Sequence, residues 1–314
     1  PSFQPPRSPM RPRSALFFWR TLVMAPFAAL PGNLRGTLWI LGAGLFFTVM
    51  MALIKEAGEQ ISVFQILFLR QLTMTLAVSP VLVKNAPEIF YTRHLRLHAA
   101  RVILALVAMT AGFTAVIYLP LADVTALTFA KSIFVTIFAV WFLAETADRA
   151  RWLAVLLGFV GVLVMVKPGA AGLNIFALLA VLSAASAAGV MVLIRRIAQT
   201  DRPTTILAYQ AIFVGVVAAF PAFYFWTSPS PLEWAMMIAI GLLSVAGQYC
   251  NIQAFKAGEA SAIAPMDYSR LIYATLIGWW IFAELPNPTT VAGAALIVVA
   301  SVITMRSARQ SETR

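Results

Sequence analysis

The chain has 314 residues, of which 61% are hydrophobic and only 11% are charged, and its mean hydropathy is +0.86. Soluble globular domains carry about 25% charged residues, so this composition excludes a soluble enzyme. Apolar residues along the whole length exclude a disordered chain, and the single cysteine, Cys250, excludes an intrachain disulfide. The net charge of +11 would suggest a nucleic-acid partner if the basic residues formed one patch with interleaved aromatics. They stand instead in short clusters between long apolar runs, as is typical of membrane flanks, and we expect no nucleic-acid partner.

The first 33 residues differ from the rest, because they are rich in proline and arginine. Their apolar stretch at 15–31 is interrupted by Arg20 and Pro26, so it is too broken to span a bilayer. It also lacks the clean apolar centre and cleavage site of a signal peptide. We therefore expect residues 1–33 to be a cytoplasmic tail, with Met24 as an alternative natural start.

Ten apolar runs of transmembrane length follow this tail. A bilayer core about 30 Å thick needs roughly 20 apolar residues per helix, so the runs predict an all-α integral membrane protein with ten transmembrane helices. The predicted spans are 34–54, 62–83, 99–118, 122–143, 150–167, 173–194, 204–226, 234–254, 260–283 and 288–305. The connections are too short for a soluble domain, so the function must reside among the helices.

The positions of lysine and arginine predict the orientation. With a cytoplasmic N-terminus, 18 of the 23 basic residues fall on the cytoplasmic side, Arg101 among them, and only Lys55 and Lys167 fall on the other. The remaining three, Arg70, Lys131 and Arg270, lie inside predicted helices. Both termini are therefore predicted to be cytoplasmic, with residues 306–314 as a second tail.

An internal repeat relates the two halves of the chain. The segment 122–146 resembles 261–285 at an offset of 139, which aligns Lys131 with Arg270, Trp141 with Trp280, and Glu145 with Glu284. A basic residue inside a membrane helix is rare, so its recurrence in register is informative. The unit is five helices, 34–167 and then 173–305, and an odd number inverts the second copy in the membrane. Inverted repeats are typical of secondary transporters that bind substrate near the bilayer midplane.

These features resemble the drug/metabolite transporter superfamily and, within it, a chain of two EamA-type domains. The resemblance covers nearly everything after residue 34 and is carried by an alanine-rich fourth helix of each repeat that ends in Ala-Glu, and by glycines in the fifth. The matching residues are Ala126, Leu127, Ala144, Glu145, Gly158 and Gly161 in the first copy, and Ala260, Ala264, Pro265, Ala283, Glu284 and Gly293 in the second.

The resemblance implies a multi-pass transporter of the bacterial inner membrane, but the superfamily moves amino acids, other metabolites, nucleotide sugars and drugs. YddG-type amino-acid exporters are similar in size and helix count, which favours export of amino acids. The alternative is an uptake carrier for S-adenosylmethionine or another organic anion, because those carriers have early helices similar to residues 62–70. Small multidrug exporters carry an acidic residue in the first helix, and 34–54 has none.

Four charged residues inside predicted helices are the first candidates for substrate binding. A charge at the bilayer centre costs roughly 2.5–3.5 kcal/mol on insertion scales, so Arg70, Lys131, Asp267 and Arg270 require an explanation. Arg70 and Lys131 either attract an anionic substrate in a cavity or are tethered to helix carbonyls and polar neighbours. Asp267 and Arg270 are spaced i, i+3, so they either neutralise each other or leave Asp267 to hold a substrate ammonium or a coupling proton.

A second set of candidates is uncharged. Gln248, Asn251 and Gln210 either line an aqueous cavity or hydrogen-bond between helices, and the second role is the commoner one. Aromatic rings in the helices either pack against a substrate side chain or serve helix packing; the candidates are Tyr118, Phe129, Tyr209 and Tyr268.

Motifs of soluble enzymes are absent from the sequence: it has no phosphate-binding loop, no HExxH, no GxSxG and no CxxC. We expect no cofactor and no metal, since His94 and His98 have no carboxylate or cysteine beside them in sequence. A membrane-embedded enzyme would need clustered His, Asp or Glu at one interface, and a passive channel would not show saturable counterflow. The sequence does not decide between a monomer and a homodimer.

Overall fold

The computed structural model describes residues 30–84, 91–92, 94–143, 149–166, 174–197, 199–201, 203–257 and 264–312. These residues form ten helical spans. Their bounds are α1 Gly32–Ala57, α2 Val63–Lys84, α3 Leu95–Tyr118, α4a Leu121–Phe129, α4b Lys131–Leu143, α5 Arg149–Val166, α6 Ile175–Ile197, α7 Pro203–Tyr224, α8 Pro231–Ala257, α9 Ser269–Phe282 and α10 Pro288–Glu312. Three predicted features lie outside the described residues: residues 1–29 of the N-terminal tail, the Ala144–Glu145 motif, and Lys167.

The spans match the predicted helices closely, with four informative differences. The fourth helix is interrupted at Ala130, and a 3₁₀ turn, Ala264–Tyr268, precedes α9. The third helix begins four residues before the predicted start, and α10 continues through the predicted tail to Glu312. Both extensions contain arginine, which has good helix propensity but lowers the hydropathy from which the spans were predicted.

The pairing of the helices shows the two-fold relation of the repeats. The helix α1 packs along α8 and α3 packs along α6, while α2 pairs with α7, α4 with α9, and α5 with α10. When each helix is replaced by its counterpart in the other repeat, five places along the chain, the α1–α8 pair becomes the α6–α3 pair. The pairs α2–α7, α4–α9 and α5–α10 are each converted into themselves. The fold is therefore two inverted five-helix repeats.

The main apolar core lies in one half of the bundle. We call the end at which α1 begins the basic end, and the end at which α1 finishes the closed end. The core is built from the closed-end halves of the helices, including residues 50–61, 113–121 and 177–184. The helix α1 also packs on α3, whereas in the described part of the chain no comparable packing joins the two-fold-related helices α6 and α8. The bundle is thus sealed at the closed end and packed less extensively at the basic end.

The contact between α5 and α10 depends on two facing glycines. A Cβ atom on Gly161 would lie 2.8 Å from the carbonyl oxygen of Gly293, and one on Gly293 would lie 2.7 Å from the carbonyl oxygen of Gly161. Without a hydrophobic driving force inside a bilayer, such close backbone contact is what holds helices together.

At the basic end, a buried polar cluster ties α3 to the connection between α6 and α7. Nε2 of His98 lies 2.9 Å from Oδ2 of Asp201, and the exposed fractions of the two side chains are 0% and 4%. The hydroxyl groups of Thr92 and Thr200 also donate to this carboxylate. Burial raises the pKa of the Asp201 carboxyl, but the three hydrogen bonds and the charge of His98 outweigh it, so the pKa lies below its ordinary value.

The substitution Gly161→Ala tests the α5–α10 contact. The added methyl group would meet backbone atoms that cannot move aside. We therefore expect the free energy of unfolding to fall by about 1–3 kcal/mol and the thermal unfolding midpoint in detergent to decrease. The matched control is Gly42→Ala on α1, where a Cβ meets nothing within 4 Å. The control should be neutral or slightly stabilising because alanine is the better helix former. Equal midpoints for the two variants would contradict the close contact.

The substitution Asp201→Asn tests the cluster at the basic end through its pH dependence. A carboxyl whose folded-state pKa is depressed stabilises the fold above its unfolded pKa of about 3.9, and this contribution is lost as the pH falls through the folded-state pKa. The wild type should therefore melt above Asp201→Asn at neutral pH, and the difference should shrink below about pH 4. A difference that stays constant down to pH 3 would show that the charge of Asp201 contributes nothing.

Candidate substrate-binding site

Lys131 lies at the interruption of the fourth helix. Ala130 ends α4a with its N–H donating to the carbonyls of Leu127 and Thr128, and Lys131 begins α4b. The Lys131 ammonium makes no hydrogen bond or ion pair with the residues that the structure describes, but it lies within electrostatic range of Asp267 and Arg270. A cation held inside a membrane helix without a fixed partner is the group most suited to receive an anionic ligand.

Across from Lys131, the 3₁₀ turn and the start of α9 together supply an ion pair. Nε of Arg270 lies 2.7 Å from Oδ1 of Asp267, and the two side chains are 25% and 32% exposed. The two atoms do not form an aligned hydrogen bond, so both keep unused hydrogen-bonding capacity. The buried Ser269 hydroxyl between them in sequence likewise has no partner in the described residues.

The helix α1 fixes the position of Arg270. Its guanidinium lies over the ring of Phe47, 4.8 Å from the ring centre. One turn earlier Gly44 leaves room for the arginine stem, since a Cβ there would lie 3.2 Å from Cγ of Arg270. The cluster formed by Lys131, Asp267 and Arg270, which we call the α4–α9 cluster, is thus shared by three helices.

The charges of the α4–α9 cluster do not cancel, because two cations face one carboxylate. The excess positive charge favours a ligand with a carboxylate or phosphate group. The ion pair expected from the i, i+3 spacing is present, and its open geometry leaves Asp267 able to accept from a ligand ammonium as well.

Aromatic and hydroxyl groups lie next to this cluster. Tyr268 packs edge-on against Phe129 with ring centres 4.8 Å apart, and Ser301 lies near its hydroxyl group. Ser301 also pairs with Ser132 at 2.7 Å, linking α4b to α10. The sequence-predicted candidates Lys131, Tyr268, Asp267 and Arg270 are therefore together.

Arg70 lies elsewhere, between α2, α3 and α7. It is 6% exposed, donates to the Gln71 side chain at 2.9 Å and to the Met109 sulfur at 3.8 Å, and lies over the ring of Phe113. Gln71 in turn donates to the backbone carbonyl of Gln210 at 3.4 Å. Of the two roles left open by the sequence, these contacts favour the tether.

Arg101 is a buried charge that sequence reasoning missed. It is 1% exposed, donates to the carbonyl of Ile206 at 2.8 Å, and is also bonded to the Gln210 side-chain oxygen. The sequence places it only among the basic residues of the cytoplasmic side, whereas in the structure its side chain is buried between α3 and α7 near the basic end. The sequence did contain one signal of this burial: Arg101 follows His98 by three residues, so the two polar side chains share one face of α3.

The remaining candidates are spread over the bundle. Tyr209 is 6% exposed and packs against His98 and Phe213, with ring centres 4.4 and 5.1 Å apart. Tyr118 is 60% exposed at the closed end and stacks on Phe176. Gln248 and Asn251 are half-buried on α8, the helix that packs along α1. Within the described residues no group of three or more His, Cys, Asp or Glu could hold a metal ion.

Comparison with known proteins places this architecture in a family. The EamA-like transporter family matches residues 34–167 and again 174–306. The pseudopaline exporter of Pseudomonas aeruginosa is 30% identical over 275 residues, which are 87% of this chain and 96% of that protein. The S-adenosylmethionine uptake transporter of Rickettsia prowazekii is 27% identical over 90% of this chain and 96% of its own. The riboflavin transporter of Brucella anthropi is 30% identical over 72% of this chain and 82% of its own.

A solved crystal structure supports the fold alone. It aligns with a TM-score of 0.57 at 17% identity, and the alignment covers 88% of this chain and 98% of that one. The relatives are named as transporters of small molecules and not as enzymes. The resemblance drawn from the Ala-Glu and glycine positions is confirmed: the chain belongs to the EamA-like transporter family and is a multi-pass membrane protein with two EamA repeats.

Proposed function

We propose that this protein is a secondary transporter that exports amino acids or related small metabolites across the bacterial inner membrane by alternating access. The observation that carries the proposal is Lys131, a cation inside the bundle with no fixed partner in the described residues, facing a carboxylate and a second cation. A zwitterionic substrate fits these charges. Its carboxylate pairs with Lys131 and Arg270, and its ammonium takes the free acceptor capacity of Asp267.

The neighbouring rings favour substrates with an apolar or aromatic side chain. Tyr268 and Phe129 lie beside the charged residues and offer an apolar surface, while the Ser132–Ser301 pair offers a polar one. The site therefore combines a charged anchor with a surface for a side chain, as small-molecule sites commonly do. In the same proposal Gln248 and Asn251 of α8 complete the lining from the side of α1.

The packing asymmetry supports alternating access and loading from the basic end. The bundle is sealed at the closed end by the main apolar core and is packed less extensively at the basic end. The lysine and arginine bias predicts that the basic end faces the cytoplasm. In that orientation, this is the state in which an exporter takes up its substrate.

A second candidate is uptake of S-adenosylmethionine or of an organic anion. It is favoured by the similarity to the Rickettsia transporter over almost the full length. The excess positive charge of the α4–α9 cluster also suits an anion without an ammonium group. Counterflow measured with labelled amino acids, with S-adenosylmethionine and with organic anions separates the two candidates.

The substitution Lys131→Gln tests the site in proteoliposomes. We expect wild-type protein to exchange a labelled amino acid by saturable counterflow. Loss of the charge-assisted bond of about 1.5–3 kcal/mol should weaken apparent substrate affinity roughly 10- to 100-fold. The matched control is Lys256→Gln at the basic end of α8, which changes the same charge on an exposed side chain and should leave the exchange unchanged.

Three results would contradict parts of this proposal. Equal affinity of Lys131→Gln and wild type would remove Lys131 from the substrate site. Exchange of S-adenosylmethionine or organic anions, with none of the amino acids, would favour the second candidate. Flux without saturable counterflow would indicate a passive channel.

A further inference from the structure

Glu284 occupies a junction at the closed end that the substrate site does not use. Its Oε1 lies 2.6 Å from Nζ of Lys55, and its Oε2 accepts the backbone N–H of Leu121 at 3.0 Å. Lys55 donates as well to the carbonyl of Leu119 at 2.6 Å. One carboxylate and one ammonium thus join the end of α1, the end of α9 and the connection between α3 and α4a.

The backbone at the end of α9 is shaped to hold this carboxylate. Ala283 adopts a left-handed conformation with φ of 53°, the only positive φ at a non-glycine residue in the described chain. The N–H of Glu284 then donates to the carbonyl of Gly278 at 2.9 Å, which turns the chain back on the helix. The carboxylate lies against the backbone of Gly278, where a Cβ would be in van der Waals contact with Oε2 at 3.4 Å.

The Glu284 carboxylate also supplies a cap that α4a lacks. Pro120 precedes this helix and makes no side-chain capping bond, so the first N–H groups need an outside acceptor. A carboxylate at a helix N-terminus gains from both the hydrogen bond and the helix dipole. The start of α4a therefore depends on a residue from the other repeat.

The helices joined by Glu284 are the same three that build the α4–α9 cluster. Lys131 belongs to α4, Arg270 to α9, and Phe47 beneath Arg270 to α1. Phe47 and Lys55 are eight residues apart on α1, roughly 12 Å along the helix. Movement of α1, α4 or α9 at the substrate site would therefore change the distances from Glu284 to Lys55 and to Leu121.

We propose that Glu284 is the gating residue of the closed end. This inference rests on the alternating access proposed above: opening that end requires α1 and the α3–α4 connection to separate from α9, and the bonds of Glu284 to Lys55 and Leu121 are those that break. Their loss shifts the population toward the state open at the closed end.

Cysteine accessibility tests the gate without a substrate. In a Cys250→Ala background, Ala57→Cys places a thiol beside the junction at a position that is 2% exposed. We expect slow modification by a maleimide in purified protein, and modification about tenfold faster in Glu284→Gln, since each factor of ten corresponds to a shift of 1.4 kcal/mol. Lys55→Gln removes the ion pair with Glu284 but keeps the bond from the Leu121 N–H, and it should also accelerate modification at position 57.

Two controls make the result specific. Glu233→Gln alters a carboxylate at the same end whose bond, from the Ser230 N–H at 2.6 Å, stays within its own helix start, so the rate should not change. Ala254→Cys reports on a buried position in the basic-end half of α8, and its rate should stay slow in Glu284→Gln. Acceleration at both reporter sites would mean general destabilisation and would overturn the gate.

The outcomes separate this inference from the proposed function. If Glu284→Gln and Lys55→Gln label as slowly as Glu233→Gln, the gate is overturned even if amino-acid counterflow succeeds. If no amino acid is exchanged but labelling accelerates at position 57 alone, the gate stands and the substrate assignment falls. If Glu284→Gln does not fold, Lys55→Gln decides by the same comparison.

Discussion

The cost of placing a charge in an apolar medium explains much of this structure. Arg70, Arg101, Lys131 and Arg270 all lie within the bundle, where each charge must be compensated by nearby polar groups. Two of them donate to neutral groups from their terminal nitrogens: Arg70 to Gln71 and the Met109 sulfur, and Arg101 to Gln210 and a backbone carbonyl. Arg270 has the Asp267 carboxylate. Lys131 is left without such compensation in the described residues, and this difference distinguishes a binding group from helix tethers.

The inverted repeat explains why that difference lies where it does. The fourth helices of the two repeats face each other across the two-fold relation, so their intramembrane cations meet at one place. Two like charges so close would repel, and Asp267 relieves the repulsion only in part. The same relation predicts equal packing at both ends of the bundle, yet α1 and α3 are joined while α6 and α8 are not comparably joined in the described chain. A symmetric fold in an asymmetric state is what alternating access requires.

The sequence predicted the ten spans and the repeat because both depend on hydropathy and register. Depth along a helix, however, does not say which way a side chain points, so Arg70 and Lys131 were grouped although they lie in different helix interfaces. Arg101 was counted only as a basic residue near the end of a predicted span, because its burial depends on tertiary packing of α3 against α7. The interruption at Ala130 left no signal, since it involves neither proline nor glycine. The His98–Asp201 pair joins residues 103 apart and depends on tertiary packing.

The left-handed alanine before Glu284 has a mechanical consequence. Glycine visits this conformation freely, whereas an alanine accepts it at about 1–2 kcal/mol. An alanine at position 283 also has fewer backbone alternatives than a glycine when the contacts of the neighbouring glutamate are broken. In the proposed gate, this restricted backbone would return the Glu284 carboxylate to the same position in front of α4a each time the closed end shuts.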